Sequence, residues 1–162
     1  MEHYKSWSGL RNKLTDYLCE PLRDRITYFL TRYHKVHNSY GRAVIMLDKE
    51  EIIAFSWNEM HRQDFDLSQL YALNGTSYED GEKQLKPQWD KNCTYCEMDF
   101  LKAATAFLNM SIREALNSDN CIIRIFAILD KRVGKKTLQK IKDEIDICEL
   151  PEWVMRFYKA AF

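Results

Sequence analysis

Between Cys96 and Leu116 the sequence sets two apolar rows side by side at helical spacing. Cys96, Phe100, Ala103, Phe107 and Met110 make one row, and Leu101, Ala104, Leu108, Ile112 and Ala115 make the other. A stripe that wide exceeds what a surface helix needs to cover one neighbour, so the pattern predicts a central core helix over 96–116. The remaining elements must pack around it.

Upstream, three segments rich in β-branched and aromatic residues read as strands: "RITYFLTRY" (Arg25 to Tyr33), "RAVIMLD" (Arg42 to Asp48) and "EIIAFSW" (Glu51 to Trp57). Short polar links, including Lys49-Glu50, predict an antiparallel meander. Downstream, "CIIRIFAIL" (Cys121 to Leu129) is apolar on both faces except at Arg124, the pattern of a central fourth strand. Helices are expected over Trp7 to Leu18, stopped near Pro21, and over Glu59 to Ala72 behind Asn58. Two more are expected over Gly134 to Ile145 and after Pro151, which suits a first turn. The polar stretch Asn74 to Asn92, with Gly75, Gly81 and Pro87, reads as an irregular loop. These elements imply an α+β fold with a four-stranded, mostly antiparallel sheet and helices packed on it. With only 5 Gly, 3 Pro and no Ser/Gly-rich linker, residues 1–162 are expected to form a single domain.

Lys and Arg number 24 and Asp and Glu 24, so no overall field draws in extended nucleic acid. The distribution is uneven: residues 101–142 carry 9 cations against 3 acids, and residues 41–100 carry 6 against 12. No segment has the roughly 18 consecutive apolar residues of a membrane helix, and "MEHYKSWSGLRNKL" lacks a signal-peptide core. These features predict a cytoplasmic protein whose five cysteines are reduced thiols.

Familiar catalytic and metal signatures fail on spacing. Cys93-Thr-Tyr-Cys96 has no second pair to complete a zinc site, and no strand leads into it as in a thioredoxin-type motif. The plainer reading puts Cys96 in the core and leaves Cys93 as a loop thiol. No nucleophile elbow is present, and Asp64 and Asp66 are too close in sequence to share a helix face. "VGKKT" resembles the end of a phosphate loop, but Leu129 stands at the early glycine and Lys136 at the Ser/Thr position. No cofactor or metal is expected. A small enzyme with a dispersed site, using His34, His37 or His61 with nearby acids, is the second reading.

The leading reading starts from six cations within twelve residues: Lys131, Arg132, Lys135, Lys136, Lys140 and Lys142, with no acid among them. The helix expected from Gly134 opens on Lys135 and Lys136 and closes on Asp143 and Glu144, against its own dipole. An anion at its start would reverse that cost. Lys131, Arg132, Lys135 and Lys136 are therefore the candidate ligand-binding residues of a non-enzymatic binding or adaptor module. Its partner would be an acidic protein or a phosphate-bearing ligand, and a toxin-neutralising immunity protein is one concrete form.

The stretch "FLNMSIREALNSDNCIIRIFAILDKRVGKKTL", with a closing "FYKA", resembles a family of uncharacterised bacterial proteins of similar length. Their C-terminal half carries an alanine-hydrophobic-Leu-Asp-[Arg/Lys]-Arg-Val-Gly-Lys-[Arg/Lys] signature. The resemblance covers Phe107 to Leu138 most closely and "FLTRYHK" and "GRAVIMLDKEEI" more loosely. It implies a bacterial, cytoplasmic origin and a chain that is the whole protein, and it points to no particular activity, cofactor or catalytic residue.

Overall fold

The computed structural model of the chain describes residues 6–32, 41–62 and 78–162. Strands β1 (Ile26–Arg32), β2 (Gly41–Leu47) and β3 (Glu50–Phe55) form an antiparallel sheet in the order β1-β2-β3. The meander is thus as expected from the sequence. The β2–β3 turn is Asp48-Lys49, one residue earlier than predicted, and both residues hold positive φ (52° and 67°). Two left-handed residues match the right-handed strand twist, which is why this turn type joins tight hairpins. The Arg25 guanidinium donates two bonds of 2.8 Å to the Asp48 carboxylate and anchors the turn.

Eight helices complete the described residues: α1 (Trp7–Tyr17), α2 (Trp57–Arg62), α3 (Tyr78–Asn92), α4 (Glu97–Leu108), α5 (Ile112–Leu116), α6 (Cys121–Ile128), α7 (Lys135–Glu144) and α8 (Glu152–Ala161). The expected long helix over 96–116 is two helices, α4 and α5. Ser111 starts the second: its hydroxyl accepts from the Glu114 N–H at 3.2 Å, and the Glu114 carboxylate accepts from the Ser111 N–H at 2.9 Å. This reciprocal capping box outweighs the continuous apolar pattern.

The expected fourth strand is helix α6. A short apolar run has no period that separates strand from buried helix, so its ends decide. Asn120 accepts from the N–H groups of Ile122 and Ile123 at 2.9 and 3.2 Å. The Tyr95 hydroxyl accepts from the Cys121 N–H at 3.1 Å. Donors that a helix start leaves without partners are thereby satisfied inside the protein. Every residue of α6 except Arg124 is buried. Phe126 lies at its centre, with ring centroids 5.4 to 5.7 Å from Phe107, Phe100 and Tyr28. Sheet and helices therefore share one core around α6, built from Tyr28, Ile45 and Phe55 on the sheet and Phe100 and Phe107 on α4.

The segment expected as an irregular loop carries α3, which includes Pro87. Glu, Lys and Gln are good helix formers, and buried Trp89 packs with Met60 and Cys96 in a small second cluster. The helix expected over Glu59 to Ala72 is seen as α2 as far as Arg62, and residues 63–77 lie outside the described ones. Among the described residues, no helix is long and apolar enough to cross a membrane.

Candidate functional site

The chain leaves α6 at Leu129 and at once pairs with the end of α1. The Cys19 N–H donates to the Leu129 carbonyl at 2.9 Å and the Lys131 N–H to the Tyr17 carbonyl at 2.8 Å, a short antiparallel bridge. This bridge buries the Asp130 carboxylate completely. Arg132 answers it: its backbone N–H donates to Oδ1 at 2.7 Å, Nη2 to Oδ2 at 2.7 Å, and Nε to both oxygens at 3.0 and 3.1 Å. The guanidinium carbon lies 4.3 Å from the centre of the Tyr17 ring and 5.6 Å from that of Phe107. The bonds to Asp130 hold the guanidinium more strongly protonated than usual. Arg132 thus spends its Nε–Nη2 edge on Asp130, although the side chain stays about one-third exposed.

The other predicted residues diverge. Lys131 is exposed, with Nζ 6.0 Å from the Tyr17 ring centre. Val133 is buried, and Gly134 precedes α7 without a side-chain cap. The first turn of α7 carries Lys135 and Lys136 and no acid. Lys135 borders an apolar groove of about 430 Å³ with Leu22, Leu138, Lys142 and Phe162. Lys136 borders a different one.

That second groove, of about 720 Å³, lies between α5, α7 and α8 and is open to solvent. The spacing of α7 builds it: Lys136, Lys140 and Glu144 make one row at i, i+4, and Thr137, Ile141 and Ile145 make the row beside it. Ile112 and Leu116 of α5 face them, and Leu150 closes the apolar floor. Arg113 of α5, Arg124 of α6 and Tyr158 of α8 also line it. Four cations thus face a single acid, Glu144, which pairs with Lys140 at 3.7 Å. Lys136 and Arg113 are exposed and make no ion pair among the described residues.

Arg124 is held in place from below. Its Nη1 donates to the Ser118 carbonyl at 2.6 Å and its Nη2 to Cys121 Sγ at 3.1 Å. Burial pushes the Tyr158 phenol up, and the neighbouring Arg124 guanidinium offsets part of that rise. Sequence reasoning took Arg124 as the polar exception in a strand and gave Arg113, Lys140 and Tyr158 no part in a site. The i, i+4 pair Lys136–Lys140 was the one local signal available. Arg113 and Arg124 reach the groove only through the packing of α5 and α6 against α7.

The cysteines differ from the expected set of thiols. Cys93 is bonded to Cys121 across 28 residues, with Cα atoms 5.6 Å apart, so it is a buried cross-link rather than a loop thiol. Cys96 does sit in the core, and burial, with Asp99 nearby, pushes its thiol up to about 12, far from a nucleophile's range. Among the described residues no group of three His, Cys, Asp or Glu side chains is placed to hold a metal. His3, His34 and His37 lie outside the described residues, as does the side chain of His61.

The model of the SF0329 protein family matches residues 6–162, and the chain belongs to that family. No curated protein matches it, and no solved structure does.

Proposed function

We propose that this protein is a non-enzymatic binding module whose partner presents anionic groups to the groove between α5, α7 and α8. One observation carries the reading: cations from three separate elements, Arg113, Arg124 and the pair Lys136 and Lys140, converge on one concave surface of a chain with zero net charge. Such local convergence attracts and orients a complementary partner without a strong global field. Arg132 does not line this groove, and one edge of its guanidinium faces Asp130. Lys131 and Lys135 lie outside the groove lining and contribute at most to the approach. The dipole argument is consistent with this placement, since the first turn of α7 keeps backbone donors uncapped by any side chain beside Lys136.

Calorimetric titration with inorganic phosphate and with polyglutamate tests the reading. Binding of at least one is expected, weakening as salt rises and weakening about tenfold or more in the Lys136→Glu, Arg113→Glu double variant. Equal binding by wild type and variant removes the groove as the site, and no binding of either anion removes the anionic partner.

A further inference from the structure

The groove is not evenly cationic, and its layout narrows the kind of partner. On α7 the cationic row Lys136–Lys140 runs beside the apolar row through Ile141 and Ile145, both rows repeating every turn. On α5, Ile112 and Leu116 repeat at the same interval, with Arg113 on the rim. The result is an open apolar trough with cations contributed by α5, α6 and α7. A compact phosphate ligand would use the cations and leave the trough unfilled. Small-molecule sites enclose most of their ligand, which an open trough does not do.

A partner helix fits all of these features. An amphipathic helix lays apolar residues at i, i+3, i+4 and i+7 into such a trough and keeps its polar back in water. Its flanking positions would then meet Lys136, Lys140 and Arg113, so acids belong there. Arg124, already fixed by Ser118 and Cys121, offers a preset cation in the lining. It suits the carboxylate of an acid or the carbonyls of a helix C-terminus. Glu144, one turn beyond Lys140, disfavours an acid beside it.

We infer that the occupant of the groove is an acidic amphipathic helix of a partner protein, an inference that rests on the anionic-partner reading above. The probe is a displayed library of helix-forming peptides, selected on the full chain and counter-selected on the Lys136→Glu, Lys140→Glu variant. Both lysines are exposed, so the variant keeps the fold, and circular dichroism checks that it does. Enriched sequences are expected to carry leucine, isoleucine or phenylalanine at helical spacing with flanking Asp or Glu. They should bind wild type at least about tenfold more tightly than the variant, and Leu116→Asp should weaken them comparably. Selection of acidic sequences without helical apolar spacing, or of peptides insensitive to Leu116→Asp, overturns the helix. If polyglutamate or phosphate binds while no helical peptide is enriched, this inference falls and the anionic-partner reading stands. If neither class binds, both fall. Self-association through the groove, seen as a concentration-dependent mass that the double variant abolishes, would replace the separate partner with a second copy and overturn the inference as stated.

Discussion

Arg132 Nη2 lies 2.7 Å from Asp130 Oδ2, and the carboxylate it contacts has no exposed side-chain surface while the arginine is about one-third exposed. The pair is thus asymmetric. Removing the arginine leaves a buried charge without its counter-ion, the costlier of the two truncations.

Arg132→Ala is accordingly expected to lower stability by about 3–5 kcal/mol, read from the denaturant midpoint. Arg132→Lys should recover only part of the loss, because a lysine offers neither the planar fork nor the stacking on Tyr17. Full recovery with lysine would show that charge alone holds Asp130.

The Cys93–Cys121 bond spans 28 residues and ties the end of α3 to the start of α6. Reduction is expected to lower stability by about 2–4 kcal/mol, measured by unfolding with and without dithiothreitol. Under non-reducing conditions, mass spectrometry after alkylation should find exposed Cys148 labelled first and buried Cys96 last, with Cys93 and Cys121 unlabelled. Rapid labelling of Cys93 would contradict the cross-link.

Acid should loosen the contact between the sheet and the last helix. The Arg156 guanidinium beside Glu50 holds its carboxyl below the usual range, and Arg25 does the same for Asp48. A depressed folded-state value gives stability that is present above the unfolded value of about 4 and lost as pH falls through the folded one. The denaturant midpoint should be flat near neutrality and decline below about pH 4. Glu50→Gln should reduce that decline, and an unchanged slope would remove Glu50 as a contributor.

Lys49 sits in the β2–β3 turn at φ 67°, where a Cβ is disfavoured. Lys49→Gly is expected to raise stability by about 0.5–1 kcal/mol, since relief of left-handed strain exceeds the added freedom of the unfolded chain. A lower thermal midpoint would mean that the lysine side chain makes a contact worth more than the strain.

The meander was legible because "RITYFLTRY", "RAVIMLD" and "EIIAFSW" carry their signal locally, and α1, α7 and α8 because their stops and starts do. Helix α6 was not, because its nine-residue run from Cys121 to Leu129 is buried except at Arg124 and buried strands look the same. What identifies it is Asn120 in front, a capping residue that outweighs the hydrophobic pattern, together with Tyr95 from far upstream. The same logic broke the expected long helix at Ser111, whose partner Glu114 was visible in the sequence as a capping box. For the site, the six-cation run contains Lys136 and Lys140, which line the proposed groove, and Arg132, which pairs with Asp130. Asp130 sits two residues from Arg132, close enough in sequence to suggest a pair. Only the fold, however, turns Lys135 and Lys136 to different grooves and brings Arg113 and Arg124 to the second.

The most direct test of the central claim is backbone amide NMR of the labelled protein as polyglutamate is added. Chemical-shift changes are expected to concentrate at Ile112 to Asn117, Lys136 to Ile145 and the end of α6 near Arg124, and to diminish as salt screens the charges. Changes centred on Lys131 and Lys135, or spread evenly over the surface lysines, would contradict the groove as the binding site.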